Sequence, residues 1–191
     1  QSGKSVGGHV AFGLREGLGF RFRDQRLSGQ PQRATTVDLI KVTGLILRGQ
    51  RLCHQIEMGK IRRAGVDNLA VHPGDARDMM DVLPEASIDK AFLLYPDPWP
   101  KTRHHRRRFV TAEHLEPLAK CLKPGAEFRV ATDIPDYVRQ TLEQVPQFGF
   151  EWLAKRAVDW REPWGDWIST RYEQKALREG RVPHYLTFRK V

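Results

Sequence analysis

Acidic residues are the scarce charge in this sequence, with 23 Asp and Glu against 32 Lys and Arg, a formal net charge of +9 and a pI near 9.9. Such an imbalance argues against a polycationic partner and points to a polyanion, most often nucleic acid. Cysteine is scarcer still. Cys53 and Cys121 are too few and too far apart for a disulfide framework or a cysteine zinc site, and no metal is expected. No apolar run approaches the roughly 18 residues that a membrane helix needs. The first residues lack the apolar core of a signal peptide, so a cytoplasmic protein is the expectation. Gln1 stands where a Met would start a chain, which leaves room for upstream sequence. No internal repeat is present. The 191 residues, 40% of them hydrophobic, suit one globular domain with a sizeable core.

What is present divides unevenly. Residues 1–60 hold ten of the sixteen glycines and ten basic residues against four acids. "VDLIKVTGLIL" reads as one strand, and the rest of this third shows no helix or strand period. From residue 60 the pattern becomes orderly. Leu69 to His72 reads as a short strand, followed by a Pro73-Gly74 turn that delivers Asp75. Ala91 to Tyr95 is a continuous apolar run, as expected of a strand buried on both faces of a parallel sheet. Val110, Leu115, Leu118, Ala119 and Leu122 fit a helix, with Pro117 marking its first turn or a kink. Lys123-Pro124-Gly125 breaks the chain before the strand "AEFRVAT", which ends at Asp133. Pro135 opens a further helix with Tyr137, Val138 and Leu142 on one face. "STRYEQKALREG" then reads as a short helix and "HYLTFRK" as a closing strand. Alternating strands and helices predict a doubly wound α/β sheet, and in such sheets ligands bind at the carboxyl ends of strands. Asp75, Asp97 and Asp133 all fall at that edge.

The stretch "YPDPWPKTRHHRRR" is the most unusual. Asp97 lies among Pro96, Pro98 and Pro100, directly ahead of Lys101, Arg103, Arg106, Arg107 and Arg108, with no acid between them. Taken alone, an Asp beside prolines is equally well a turn former. The cations suit phosphate contacts, which supply the salt-sensitive part of nucleic-acid affinity. His104 and His105 read as solvated or structural neighbours of that run rather than metal ligands. Trp152, Trp160, Trp164 and Trp167 read as packing residues rather than a base-stacking platform. Asp133 is equally placed to cap the helix after it, and Thr170-x-x-Glu173 is a ready capping box.

"FLLYPDPWPKTRHHRRRFV", "LKPGAEFRVATDIPDYV" and "STRYE", in this order, closely resemble bacterial tRNA (guanine-N7-)-methyltransferases over about residues 60–191. The resemblance implies a Rossmann-like class I methyltransferase fold: α/β, a mostly parallel sheet flanked by helices, here with an irregular N-terminal part. It implies S-adenosylmethionine as cofactor, a guanine in the tRNA variable loop as substrate, and a monomer or homodimer. By the same resemblance Asp97 is the active-site acid and lies against the cofactor, and Asp75 approaches the cofactor's adenine. Lys101, Asp133 and the run Thr170, Arg171, Tyr172 and Glu173 fall on the substrate side. Arg103, Arg106, Arg107 and Arg108 are expected on tRNA phosphates.

One part of the family pattern is missing. Members carry an E-x-G-x-G-x-G loop after their first strand and, further on, an acid for the ribose hydroxyls. Family spacing puts the loop near residues 23–29, where "RDQRLSG" stands, and the acid near Arg48, although no acid occurs between Asp38 and Glu57. "SVGGHVAFG" lies too far upstream, and a lone glycine cluster is weak evidence. A shifted reading frame or misassembly over residues 1–57 accounts for this. The alternative is a non-catalytic RNA-binding relative that has lost the cofactor loop. A nicotinamide dehydrogenase on a similar sheet explains neither the basic run nor PDPWP.

Guanine N7 has an in-plane lone pair and no proton at neutral pH, so methyl transfer to it needs alignment and charge stabilisation more than a base. Asp97 is expected to orient the guanine edge and offset the charge that grows on the base.

Overall fold

The structure, a computed structural model, describes residues 9–18, 42–47, 69–72 and 76–191, with side chains from Asp78 onward. Asp75, Cys53, Arg48 and the 23–29 stretch lie outside the described residues. The strands are β1 (His9–Leu18), β2 (Val42–Leu47), β3 (Leu69–His72), β4 (Ile88–Leu94), β5 (Leu122–Thr132), β6 (Phe150–Trp152) and β7 (His184–Lys190). The helices are α1 (Ala76–Met80), α2 (Ala112–Cys121), α3 (Pro135–Gln144), α4 (Val158–Arg161) and α5 (Arg171–Arg178). A 3-10 turn covers Thr102–Arg107. No described helix is long and apolar enough to cross a membrane.

The strands form one sheet in the order β3-β2-β1-β4-β5-β7-β6. The α/β class is as expected, but the sheet is mixed rather than mostly parallel. Among the described residues only β2–β3 and β4–β5 are parallel pairs. β1 runs antiparallel to both β2 and β4, with His9 opposite Leu94 and Gly13 opposite Lys90. At the other edge β7 follows α5 after a short link and returns antiparallel to β5, and β6 pairs antiparallel with it. β1 falls where no strand was expected. Its Gly13 and Gly17 dilute the alternation, because glycine offers a strand neither side-chain packing nor backbone restriction. Of the expected strand in "VDLIKVTGLIL", Val42–Leu47 forms β2, and residues 37–41 lie outside the described residues.

In β4 the apolar run alternates instead of being buried on both faces. Ile88, Ala91 and Leu93 are fully enclosed, while Phe92 and Leu94 on the other face are half-buried. Phe128 and Val130 of β5 and Leu186 and Phe188 of β7 continue the enclosed face. Leu115 and Leu118 of α2, with Tyr137 and Val138 of α3, cover it. Pro135 supplies the first turn of α3, where its missing N–H costs nothing. Pro117 lies in the second turn of α2, not the first. Cys121 ends that helix in the core, its thiol pushed up to about 11 by burial and donating to the Met80 carbonyl at 3.5 Å. Because β4 and β5 are parallel neighbours with Leu94 beside Ala131, the chain leaves both strands at the same rim. Asp97 and Asp133 follow directly.

Candidate active site

The loop after β4 starts under tension. The Tyr95 amide donates to the Ala131 carbonyl at 2.8 Å, one step beyond the strand. Tyr95 and Trp99 then both take left-handed backbone conformations, with φ of +47° and +40°. Bulky residues rarely adopt them, and each stands before a proline, a position that favours extended backbone. Two such residues bracket Asp97, and local strain of this kind persists only where surrounding structure holds it. Asp97 itself is half-buried; burial foremost, with a last and smallest contribution from the Asp97 charge, disfavours ionisation of the Tyr137 phenol.

The cations divide into two kinds. Lys101, Arg103, Arg106 and Arg107 are exposed on or beside the 3-10 turn. Arg107 lies over the Trp99 ring at 4.9 Å, and His104 meets the ring edge-on at 5.8 Å. Desolvation, then Arg107, Arg103, Lys101 and Arg106, holds His104 below its ordinary pKa, so it is neutral at pH 7. Arg108 departs from expectation. It is 1% exposed and therefore cannot present its charge to tRNA phosphates. Its Nε donates to the Pro98 carbonyl at 2.9 Å and one terminal nitrogen to Gln140 Oε1 at 2.8 Å. The expected phosphate contact is a buried structural cation.

Asp133 stands at the end of β5 with a side chain 11% exposed, and Arg181 donates to it. The Ile134 amide turns back to Thr132 Oγ1 at 3.3 Å, so no Asp133 cap of α3 is recorded. Beside this rim, Thr170 caps α5, its Oγ1 accepting from the Glu173 amide at 3.1 Å. Arg171 and Tyr172 point outward, the latter 51% exposed. Glu173 turns inward. Its carboxylate accepts from Trp167 Nε1 at 2.9 Å and from the Tyr185 hydroxyl, so a direct substrate contact requires one of these to give way. Burial works to raise the Glu173 pKa, but donors from Ser169, Tyr185, Trp167 and the Thr170 backbone together hold it below the ordinary carboxylate value. Burial, followed by the nearby Glu173 charge, keeps the Tyr95 hydroxyl protonated. Trp164 and Trp167 pack edge-on against Tyr185 at 5.5 and 5.8 Å, a packing role rather than an open platform.

Sequence reasoning missed Arg181, Asp136, Gln140 and Tyr185. Asp136 lies within the quoted stretch "LKPGAEFRVATDIPDYV" but was given no role there, the other three stand in none of the stretches that carry the resemblance, and only their spatial neighbours distinguish them.

The rim offers the carboxylates of Asp97 and Asp133; Trp99 Nε1 is a buried donor without a hydrogen-bond partner among the described residues, while the Tyr95 hydroxyl lies against Tyr185 and the Glu173 charge. The two carboxylates suit a ligand bearing amines, hydroxyls and a positive centre. Among the described residues, Gly13 of the early glycine-rich stretch lies inside the β1 ladder, opposite Gly44 and Lys90, and not in a strand-to-helix loop.

Comparison with known proteins gives the rim a context. The family described as "Putative methyltransferase" matches residues 49–186, starting upstream of the residue 60 at which the motifs become legible. A tRNA (guanine-N(7)-)-methyltransferase of Ruegeria pomeroyi is 81% identical over 134 residues, 70% of this chain and 56% of that protein. Its namesake in Mesorhizobium japonicum is 52% identical over 132 residues, 69% of this chain and 57% of that protein. The chain thus spans little more than half the length of these relatives. Among solved structures, TrmN from Thermus thermophilus superposes with a TM-score of 0.51 at 13% identity, covering 76% of this chain and 35% of that one, a likeness of fold. Matched over residues 49–186, this chain belongs to that methyltransferase family and has the Rossmann-like class I methyltransferase fold.

Proposed function

We propose that this chain methylates N7 of a guanine in the variable loop of tRNA, in the cytoplasm, with S-adenosylmethionine as donor. The observation that carries the reading is the placement of Asp97, in a strained loop, and Asp133 at the ends of adjacent parallel strands, with exposed cations following the first. The names of the relatives support the same substrate. When bound, the cofactor supplies a methyl group on a positively charged sulfur. Asp75 and Asp97 would hold it.

Asp97 orients the guanine edge and offsets the positive charge that grows on the base, without taking a proton, since N7 carries none. Asp133, steadied by Arg181, is a second acceptor for the base. Lys101 holds a phosphate or base beside the reacting centre. Arg103, Arg106 and Arg107 bind phosphates further along, and Thr170, Arg171, Tyr172 and Glu173 shape the substrate side. Residues 1–48, upstream of the family match, enter as a segment out of register with the family.

The test combines equilibrium binding of S-adenosylmethionine with methyl incorporation into tRNA. Both are expected for the chain, and Asp97→Asn should lower turnover by about a hundredfold, the scale of losing one preorganised electrostatic contact. Full turnover in that variant with unchanged substrate binding rejects the role of Asp97. Salt-dependent tRNA binding without any cofactor binding indicates the non-catalytic RNA-binding relative instead.

A further inference from the structure

We infer that Arg108 is the positioning residue of the site, a buried guanidinium that fixes the Asp97 loop against the helix issuing from Asp133. The inference rests on the methyl-transfer reading for its kinetic consequence and on geometry alone for its structural one. All the nitrogens of the guanidinium are engaged. Nε donates to the Pro98 carbonyl at 2.9 Å and Nη2 to the Trp99 carbonyl at 3.4 Å, the two peptide groups that follow Asp97. Nη1 meets the Asp136 carboxylate at 2.8 Å and Gln140 Oε1 at 2.8 Å, both on α3. The plane lies over the Tyr137 ring at 5.2 Å, again on α3. Gln140 is held in turn, its amide donating to the Val110 carbonyl at 3.0 Å.

One fully enclosed side chain therefore links the segment carrying one rim acid to the first turns after the other. A lysine could supply the charge but not this planar fork, which reaches two consecutive carbonyls on one side and a carboxylate and an amide on the other. The same links explain how Trp99 keeps its left-handed backbone. Its carbonyl is pinned by Arg108 and its ring is held by Arg107 and His104. Arg107 and Arg108 are adjacent in sequence and serve different ends, one facing solvent and one locked inside.

The test compares Arg108→Lys with Asp97→Asn and with the double variant in single-turnover methylation. Arg108→Lys should lower kcat by about a hundredfold, the scale of a misplacement near 1 Å, with KM for tRNA little changed. Because Arg108 acts through Asp97, the double variant should be no slower than Asp97→Asn alone. The salt dependence of tRNA binding should keep its wild-type slope, whereas Arg106→Ala should lower the slope by about one unit. Multiplying losses in the double variant, or a reduced salt slope for Arg108→Lys, overturns the inference. Gln140→Ala, which leaves the arginine in place, should give a smaller fall in kcat if the lysine variant proves unstable; an unchanged kcat also overturns it. Should the wild-type chain prove inactive, hydrogen exchange decides independently. The amides of Tyr95 and His104, which donate to the Ala131 and Lys101 carbonyls at either end of the loop, must exchange faster in Arg108→Lys or Gln140→Ala than in wild type, and unchanged protection sinks the proposal.

Discussion

The two halves of the rim are built on opposite plans. After β4 the fold buries a cation, Arg108, and brings an acid, Asp97, toward the surface on strained backbone. Between β5 and β7 it buries an acid, Glu173, among Trp167 and Tyr185, and leaves a cation, Arg181, partly exposed over Asp133. A buried charge is costly unless its hydrogen-bonding capacity is met, and each half meets it differently. Arg108 takes backbone carbonyls and so controls the path of the chain. Glu173 takes side-chain donors and the α5 cap, and so controls which side chains stand together. The first plan suits a residue that must hold one orientation. The second suits a wall that must keep its shape.

The contrast is most sharply broken by removing the buried cation. Arg108→Ala leaves the Pro98 and Trp99 carbonyls and Gln140 without their donor, and the expected loss is about 3 kcal/mol of folding stability. The Asp136 partner adds little to that figure, since its side chain is 40% exposed and also paired with Arg139 at 2.6 Å. Arg107→Ala, one residue earlier, should stay within about 0.5 kcal/mol, as surface substitutions do. Denaturant unfolding of the two variants measures the difference. Equal losses would remove the distinction between the neighbours.

That distinction was not legible in the sequence. Five cations in one run look alike, and only tertiary placement selects Arg108 for the interior. The left-handed Tyr95 and Trp99 were equally hidden, because both residue type and the following prolines favour other conformations. Features set by local chemistry were legible. Pro135 announced the start of α3, Thr170 and Glu173 announced the cap of α5, and the apolar runs gave β4, β7 and residues 126–132 of β5. That strand begins earlier, at Leu122, and runs through the Lys123-Pro124-Gly125 expected to break the chain. The acids were expected at the ends of β4 and β5 because that follows from strand boundaries alone. The direction of β1 was not accessible, since antiparallel pairing with β4 joins residues about eighty positions apart, His9 to Leu94. Arg181 was missed for the same reason, its partner Asp133 lying far back in the chain.

The buried acid gives the next largest effect. Glu173→Gln keeps the shape but exchanges charge-assisted hydrogen bonds for neutral ones, and about 2 kcal/mol of stability should be lost at pH 7. The pH dependence carries a sign. The folded pKa of Glu173 lies below its ordinary value of 4.5, so its stabilisation is present above that value and disappears as pH falls through the lower folded one. Wild-type stability should therefore fall on acidification below pH 4.5 more steeply than that of Glu173→Gln. Thermal unfolding across that range reads the difference, and parallel curves would show that the carboxylate gains nothing from its donors.

The smallest effect separates the cap from the wall. Thr170→Ala removes the side-chain acceptor for the Glu173 amide but leaves Trp167 and Tyr185 on the carboxylate. An N-cap of this type contributes about 1 kcal/mol, so the variant should lose roughly that and keep the acid sensitivity assigned to Glu173. Thr170→Ser retains the oxygen and should recover most of the loss, because serine caps at least as well as threonine. If Thr170→Ala also flattens the acid limb, then the cap and the carboxylate network are one cooperative unit. Coupling of that kind would place the order of α5 under the control of its cap, whereas independent losses leave Tyr95, Tyr185 and Glu173 holding their side of the rim after the first turn has frayed.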